Sequence, residues 1–363
     1  VSSKARGRVQ SCARFGSRLR SPGRATRLRA VAVAAALAVV ALAASACGEK
    51  RERVTPAGER TVTVMLDWFP NADHAPIYAA EAAGYFRQAG LRVALRAPSD
   101  PSAPIRTVAA GRVDLAVSYE PEVFRAVDRG LRVRSVAALV QRPLTSLVWL
   151  PRGRIRGPRD LAGKRVGYAG IDYQRAYLEA IAAAAGVDPA QVRVRNVGFG
   201  LAPALLTGKV DAVIGAFWNY EGVQLRLARR DPQVLPVDRA GVPSYDELVF
   251  VANADALARD RAKLRAFLAA VARGERLTRR DPDFAVRALV RANRDLDRRL
   301  QTAALKATLP AFAPPRGRPW GWQDPAEWRD FGGWLHERGI LRRAPDPTAA
   351  YTNELLPGGG IQP

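Results

Sequence analysis

Residues 61–85 read TVTVMLDWFPNADHAPIYAAEAAGY, and this stretch decides the fold. Its first part alternates in polarity, with Val62, Val64 and Leu66 on one face, which is typical of a half-buried strand. Its second part is rich in alanine and opens near Pro76, which a helix tolerates in its first turn. The stretch therefore predicts a strand, a short loop and a helix in succession, the repeating unit of α/β folds.

The predicted loop carries Trp68, Asn71, Asp73 and His74. Ligands of open α/β sheets bind at the carboxyl ends of the strands, so this loop is predicted to border a ligand site. Asn71 and Asp73 have a structural alternative, because either side chain could shape the turn or cap the helix. His74 has no second histidine or cysteine nearby, which favours ordinary hydrogen bonding over metal binding or general-base catalysis.

Short apolar runs alternate with Ala-rich helical patterns along most of the remaining chain. Strands are predicted at 61–67, 91–96, 113–117, 132–139, 145–150, 164–168, 192–197, 210–215, 233–237 and 247–252. Helices are predicted at 75–89, 102–110, 121–129, 173–185, 200–207 and 219–230. This alternation predicts an α/β fold with mainly parallel sheets and helices on both faces.

The chain is long enough for two lobes with separate cores, and it is predicted to cross between them twice. The predicted crossings lie near 151–158 and near 238–244, where Pro, Gly and Arg accumulate. Lobe one is then 60–150, lobe two is 151–240, and 241–363 returns to lobe one and adds C-terminal helices. Two lobes joined in this way close around a ligand by hinge motion.

The N-terminal segment predicts export. Residues 1–46 begin with basic residues and no acid, continue with the apolar run Val31–Ala44 and end in Ser-Ala before Cys47, which is the pattern of a signal peptide. Cys47 would be the lipidated first residue of the mature protein, with 47–59 as a polar tether. The alternative is plain secretion with Cys47 as an idle thiol. Since Cys12 would be removed, the pattern argues against an internal disulfide and a cysteine-based metal site.

The positive charge of the chain does not indicate nucleic-acid binding. Residues after Cys47 include 48 basic and 34 acidic side chains, a net charge of +14. The basic residues are scattered over predicted helices rather than clustered with aromatics, and arginine outnumbers lysine 51 to 6 across the chain. Attraction to an anionic membrane surface, near which a lipid anchor would hold the protein, fits this charge better.

Five segments carry a family resemblance. The segment DWFPNADHAPIYAAEAAGYF at 67–86 resembles the opening motif of bacterial ABC-transporter substrate-binding proteins for thiamine pyrimidine precursors. Asp114–Pro121, Leu161–Gly170, Val210–Glu221 and Tyr351–Pro357 follow in the order that such proteins show. The resemblance implies a two-lobe, type II-like periplasmic-binding-protein fold. It also implies an exported monomer that delivers a small pyrimidine to an ABC permease at the extracytoplasmic face of the membrane.

The expected ligand site combines aromatic and polar side chains at predicted strand ends. An aminopyrimidine has an amine donor beside ring-nitrogen acceptors, so a carboxylate can bind its amine while an aromatic side chain stacks on its ring. Glu221 is the first choice for that carboxylate, since it follows Trp218 by three residues; its alternative role is charge complementation at a helix N-terminus. Tyr173 and Asn219 also lie just after predicted strand ends. The predicted ligand-binding residues are Trp68, Asn71, His74, Ser118, Tyr119, Glu120, Tyr168, Asp172, Trp218 and Glu221.

Two other functions remain open from the sequence. Relatives of this fold also bind sulfonates, nitrate-like anions and other small organic molecules, and such a receptor should direct backbone N–H groups and arginines into its cleft. The fungal-type pyrimidine synthase shares the opening motif, but its cysteine-rich iron segment has no counterpart here. Its phosphate-binding Gly-rich loop is also missing, because Asp172 in the corresponding stretch Gly170–Tyr173 would repel a phosphate. The prediction is therefore a binding protein without enzymatic activity, metal or cofactor.

Overall fold

The computed structural model describes residues 59–358, and its first sheet contains the strand predicted by the opening stretch. This sheet has the order β2-β1-β3-β10-β4. The strands are β1 (Arg60–Met65), β2 (Leu91–Arg96), β3 (Leu115–Ser118), β4 (Val133–Val140) and β10 (Leu248–Asn253). Val62 and Val64 are fully buried, as the alternation in β1 predicts. The first sheet and the helices packed on it form the first lobe.

A second sheet of five strands forms the second lobe, with the order β7-β6-β8-β5-β9. Its strands are β5 (Thr145–Trp149), β6 (Arg165–Tyr168), β7 (Arg193–Asn196), β8 (Ala212–Phe217) and β9 (Gln233–Pro236). All ten predicted strands are present within two residues of their predicted bounds. The two-sheet α/β architecture predicted from the sequence is therefore confirmed.

Both sheets are mixed: four of the five strands in each run in the same direction, as expected for mainly parallel sheets, and one strand runs the opposite way. In the first sheet β10 runs antiparallel to β3 and β4, and in the second sheet β5 runs antiparallel to β8 and β9. Both exceptional strands directly follow a crossing from the other lobe. A strand that directly follows a crossing begins at the side of its sheet that faces the other lobe. It therefore runs in the opposite direction to the neighbouring strands, which end at that side.

The first crossing lies earlier than predicted. Thr145–Trp149 pairs within the second sheet, so the chain crosses at 141–144 and the predicted boundary at residue 150 falls inside the second lobe. The Pro-rich segment predicted as the crossing instead forms two 3-10 turns, Pro151–Gly153 and Pro158–Leu161, between β5 and β6. The second crossing spans 237–247 and includes the predicted segment. Proline and glycine mark turns of both kinds, which explains the misplacement.

The first predicted helix is divided by a glycine. Gly84 adopts φ +72°, a left-handed conformation that favours glycine, between the two helices that replace the predicted 75–89. The helices are α1 (Ala75–Ala82), α2 (Tyr85–Gln88), α3 (Ala103–Ala109), α4 (Glu120–Asp128), α5 (Asp172–Ala184), α6 (Leu201–Thr207), α7 (Glu221–Leu227), α8 (Ala254–Arg280), α9 (Pro282–Ala292), α10 (Arg298–Phe312), α11 (Pro325–Glu337) and α12 (Pro347–Ala350).

The C-terminal helices pack on the first lobe and also reach the second. Helix α8 approaches α1 so closely that a Cβ at Gly274 would lie 2.2 Å from the Pro76 carbonyl oxygen. Helix α10 contacts both the 3-10 turn Ala72–His74 and helix α7. On α11, Trp334 packs edge-on against Tyr177 of helix α5. These helices therefore link the two lobes in addition to the crossings.

The predicted signal peptide, the lipidation site Cys47 and the tether up to residue 58 lie outside the described residues. Between residues 59 and 358, every helix is too short or too polar to span a bilayer.

Candidate functional site

A cavity lies where the carboxyl ends of strands from both sheets meet. It contains about 330 Å³ of empty space, open solvent included. Its wall consists of Asp67, Trp68, Asn71, Tyr119, Gln174, Gly215, Phe217, Tyr220 and Glu221. The first four belong to the first lobe and the other five to the second, so a molecule bound here would contact both lobes.

Four of the predicted site residues line this cavity: Trp68, Asn71, Tyr119 and Glu221. The wall also contains five residues that were not predicted: Asp67, Gln174, Gly215, Phe217 and Tyr220. Asp67 lies two residues after the end of β1, so the strand-end rule could have identified it. Gly215 within β8 was a second available signal, since a glycine inside a strand often marks a close approach.

Asp67 is a buried carboxylate held by two hydrogen bonds. Its Oδ1 accepts from His74 Nε2 at 2.8 Å, and its Oδ2 accepts from the Tyr119 hydroxyl at 2.9 Å. The backbone N–H of Asn71 donates to His74 Nδ1 at 3.2 Å, which assigns the proton of a neutral imidazole to Nε2. His74 therefore stands behind Asp67 and orients it, in agreement with a hydrogen-bonding role, and does not reach the cavity wall.

Tyr119 stays protonated at this position. Burial, and next the negative charge of Asp67, raise the pKa of the Tyr119 hydroxyl well above its ordinary value. The hydroxyl is therefore a permanent donor to Asp67. With one donor on each oxygen, the Asp67 carboxylate is fixed in orientation and retains lone pairs for a hydrogen bond from a ligand.

Asn71 has both roles that the sequence allowed. Its side chain caps the 3-10 turn by accepting from Asp73 N at 2.8 Å, and it also lines the cavity. Asp73 points away from the wall, where its Oδ1 accepts from Asn219 Nδ2 at 2.6 Å and from Thr308 Oγ1 at 3.1 Å. Burial raises the pKa of Asp73 to about 6. Asn219 thus joins the second lobe to the first rather than lining the cavity.

Glu221 lies at the start of α7 and faces the cavity from the second lobe. Its Oε2 accepts a hydrogen bond from the backbone N–H of Phe217 at 2.8 Å. Burial raises the pKa of Glu221 to about 7, although the hydrogen bond from Phe217 N opposes that shift. Near neutral pH this carboxyl group therefore exists in both forms, as an acceptor when ionised and as a donor when protonated.

The Gln174 side chain passes over Gly215 of β8 and lines the cavity. Gly215 has φ +92°, and a Cβ there would lie 2.3 Å from Gln174 Nε2, so the position requires glycine. Gln174 Oε1 accepts from Ala169 N at 2.9 Å, which fixes the amide and directs its nitrogen toward Gly215. An amide in this position offers a donor to a ligand.

Trp218 does not line the cavity, contrary to the prediction. Its indole Nε1 donates to the Pro143 carbonyl at 3.0 Å, which places the ring at the first crossing. Phe217, at the end of β8, lines the cavity instead, because successive side chains of a strand point to opposite faces. Tyr220, in the turn that follows, supplies a further aromatic ring on the second lobe.

Asp172 joins the two lobes at the surface and does not line the cavity. Its Oδ2 accepts from Arg125 Nη2 at 2.8 Å, on helix α4 of the first lobe, and from Arg129 Nη2 at 3.0 Å, directly after that helix. The Asp172 side chain is 58% exposed, and these hydrogen bonds lower its pKa. The sequence pattern missed this pairing because the arginines lie more than 40 positions away.

The remaining predicted residues lie beside the cavity wall rather than in it. Ser118 is paired with Val249 inside the first sheet. Glu120 is fully buried, and its Oε2 accepts from Asp246 N in the second crossing at 2.6 Å. Tyr168 is half-buried at the end of β6. Tyr173 is fully buried and packs against Tyr119 with a ring-centroid distance of 5.5 Å.

Comparison with known proteins identifies the family. Residues 71–285 match the sequence profile described as NMT1/THI5 like. The chain belongs to the NMT1/THI5-like family. It is 36% identical over 285 residues to a putative thiamine biosynthesis protein of Haemophilus influenzae, covering 78% of this chain and 88% of that protein.

Two further relatives differ in what their names describe. The formylaminopyrimidine-binding protein of Halalkalibacterium halodurans is 38% identical over 280 residues, covering 76% of this chain and 84% of that protein. A 4-amino-5-hydroxymethyl-2-methylpyrimidine phosphate synthase of Legionella pneumophila is 27% identical over 299 residues, covering 82% and 92% respectively. The relatives of this chain therefore include both a named binding protein and a named enzyme.

Solved structures confirm the two-lobe periplasmic-binding-protein fold. The alkanesulfonate-binding protein from Xanthomonas axonopodis pv. citri aligns with a TM-score of 0.63 at 14% identity, covering 81% of this chain and 98% of that chain. The periplasmic nitrate-binding protein from Synechocystis PCC 6803 aligns with a TM-score of 0.60 at 13% identity, covering 81% and 86%. At these identities the likeness concerns the fold alone.

Proposed function

We propose that this protein is the solute-binding component of an ABC importer and that its ligand is a thiamine pyrimidine precursor of the formylaminopyrimidine or hydroxymethylpyrimidine type. The observation that carries the proposal is the composition of the cavity wall. It combines the carboxyl groups of Asp67 and Glu221 with four aromatic rings, and both lobes contribute. The name of the Halalkalibacterium halodurans relative supports the same ligand class.

The wall is complementary to an aminopyrimidine. The fixed carboxylate of Asp67 suits the exocyclic amine, and a charge-assisted hydrogen bond of this kind contributes roughly 1.5–3 kcal/mol. The Gln174 amide suits a ring nitrogen, and the ionised carboxylate of Glu221 suits the second N–H of the amine. The pyrimidine ring would stack on an aromatic face such as Trp68, which adds roughly 1–3 kcal/mol by analogy with nucleobase stacking.

The same wall is a poor match for a sulfonate or a nitrate-like anion. Among the nine described residues that line it are two carboxyl groups and no lysine or arginine. A bound anion would lie against the Asp67 carboxylate in a region of low dielectric, where like charges repel strongly. We therefore favour the pyrimidine over the anion, although proteins of the same fold are named for anionic ligands.

The charge of the wall also favours a receptor over a pyrimidine synthase. A phosphorylated product would bring a dianion to the two carboxyl groups, whereas a neutral or protonated aminopyrimidine would not be repelled. Asp172, at the position of the synthase phosphate loop, is occupied by its ion pairs to Arg125 and Arg129. We therefore propose that the protein binds and delivers the pyrimidine without converting it.

Isothermal titration tests the ligand class directly. Hydroxymethylpyrimidine and formylaminopyrimidine should bind to the wild-type protein, whereas taurine and nitrate should not. Because each lobe supplies part of the wall, a bound ligand should favour the closed arrangement and raise the melting temperature. Binding of taurine or nitrate without binding of either pyrimidine would reject the proposed ligand.

Glu221→Gln should weaken pyrimidine binding by roughly ten- to a hundredfold at pH 8, where the wild-type carboxyl with its pKa of about 7 is mostly ionised. The substitution preserves shape but removes the charge and replaces an acceptor oxygen with a donor. Titration of both proteins measures the effect. Glu179→Gln, at a side chain that is 45% exposed, is the matched control and should bind as the wild type does. Tighter pyrimidine binding by Glu221→Gln would contradict the role assigned to Glu221.

We further propose that the protein is exported and anchored by a lipid on Cys47, on the strength of the N-terminal sequence pattern. It would then act as a monomer near the membrane and pass its ligand to the permease. Cys47→Ala should move the protein from the membrane fraction to the soluble fraction after cell fractionation. Ligand binding should remain unchanged, because the anchor is separated from residue 60 by a polar segment. Retention of the variant in the membrane fraction would show that Cys47 is not the lipid site.

A further inference from the structure

Beside the cavity, Phe199 of the second lobe contacts two aromatic rings of the first. Its ring centroid lies 4.6 Å from that of Trp68, with the planes at 82°, and 4.4 Å from that of Phe69, with the planes at 44°. Trp68 lines the cavity, while Phe69 is 49% exposed. We call these three rings the aromatic clasp. Both distances are in the range of favourable aromatic pairs.

The turn that carries Phe199 is stabilised by two backbone hydrogen bonds and one side-chain hydrogen bond. Val197 N donates to the Tyr168 carbonyl at 2.9 Å, and Gly200 N donates to the Val197 carbonyl at 3.0 Å. Asn196 Oδ1 accepts from Gly198 N at 2.9 Å, and Gly198 has φ +53°. The turn follows β7, an edge strand of the second sheet. The second lobe therefore presents Phe199 on a short, defined turn.

The described ring contacts of Phe199 are both with the opposite lobe. If the lobes separated, Phe199 and the already half-exposed Phe69 would expose more apolar surface to water, which is unfavourable in proportion to the area. The clasp therefore stabilises the closed arrangement. It also restricts the Trp68 indole, because Phe199 packs against the same ring that borders the cavity.

We infer that Phe199 is a positioning residue that slows ligand release by holding Trp68 in its stacking position when the lobes close. This inference rests on the proposed function. It assigns to Phe199 a role that acts through Trp68, since Phe199 itself is not among the residues lining the cavity. The ligand would be a planar heteroaromatic, because only a flat ring benefits from a fixed indole face. It would be uncharged or cationic, because Asp67 and Glu221 line the same cavity.

The test measures release of hydroxymethylpyrimidine by stopped-flow and equilibrium affinity by titration. Phe199→Ala should release the ligand about tenfold faster, since two aromatic pairs are lost, while the association rate changes little. Phe199→Tyr keeps the ring and should behave as the wild type does. A melting curve of each free variant verifies that it is folded.

A double-mutant cycle distinguishes positioning from general packing. If Phe199 acts through Trp68, Phe199→Ala should change affinity by less than about twofold in a Trp68→Ala background. An equal loss in both backgrounds, or wild-type release from Phe199→Ala, would overturn the inference and leave the proposed function intact. Failure of the wild-type protein to bind either pyrimidine would overturn the proposed function and this inference with it.

Discussion

Asp67→Asn should bind hydroxymethylpyrimidine about a hundredfold more weakly than the wild type, which is the upper end of the effect of losing one charge-assisted hydrogen bond. Both oxygens of Asp67 accept from donors, His74 Nε2 and the Tyr119 hydroxyl. In the asparagine variant, the amide nitrogen would replace one of these oxygens and point a second donor at His74 Nε2 or at the Tyr119 hydroxyl. The variant therefore loses the charge that the ligand amine requires and also the fixed orientation of the group.

Isothermal titration at pH 8 measures this loss, with melting curves to verify that the variant is folded. Asp211→Asn is the matched control, because Asp211 pairs with Arg165 in the second lobe and is not part of the cavity wall. Its affinity should equal that of the wild type. An Asp67→Asn affinity within threefold of the wild-type value would mean that the ligand amine is accepted elsewhere, with Glu221 as the remaining carboxyl group on the wall.

Glu247→Ala should lower the free energy of unfolding by about 2–6 kcal/mol, because the buried N–H groups of Leu144 and Thr145 would each lose their acceptor at a cost of roughly 1–3 kcal/mol. Glu247 is fully buried in the second crossing. Its Oε2 accepts from Leu144 N at 2.6 Å and from Thr145 N at 2.7 Å, where the first crossing enters β5. The same oxygen accepts from the Tyr245 hydroxyl at 3.0 Å. One side chain therefore ties the two crossings together.

Thermal unfolding should show a decrease in melting temperature of about 10 °C for Glu247→Ala. Glu247→Gln is the matched variant: its carbonyl oxygen can still accept from the two backbone N–H groups, and its amide can donate to Thr145 Oγ1. We expect it to lose less than half as much stability. A melting temperature of Glu247→Ala within 2 °C of the wild-type value would contradict the importance of this tie.

The difference in stability between the wild type and Glu247→Gln should depend on pH. Burial raises the pKa of Glu247 from its ordinary value of 4.5 to about 7, despite the hydrogen bonds that oppose the shift. The folded state then binds more protons than the unfolded state between those values, so wild-type stability falls as pH rises from 5 to 7. The glutamine variant lacks this contribution, and the stability advantage of the wild type should shrink over that range. An advantage that grows with pH would show that the folded protein favours the ionised carboxylate.

Local sequence was sufficient for the order of strands and helices. The alternation of Val62, Val64 and Leu66 fixes a strand because a polar residue on the buried face would be unfavourable whatever the neighbouring strands are. Strand ends were equally predictable, and strand-end residues such as Trp68 and Tyr119 do line the cavity. Recognisable motifs at 67–86 and 210–221 added the family and, through it, the two-lobe architecture.

Tertiary structure alone decided which strand-end side chains face the cavity and which strands pair. Phe217, the last residue of β8, lines the cavity, whereas the next residue, Trp218, donates a hydrogen bond to the first crossing. A shift of one position along the chain therefore moves an aromatic side chain out of the cavity. Asp172 resembles a ligand-binding residue in sequence, but Arg125 and Arg129 from the other lobe bind it. The antiparallel insertion of β5 depends on pairing with β8 and β9, which lie more than 60 residues away. Such contacts join segments distant in the chain and leave no local periodicity, so they are determined only when both lobes have folded around their crossings.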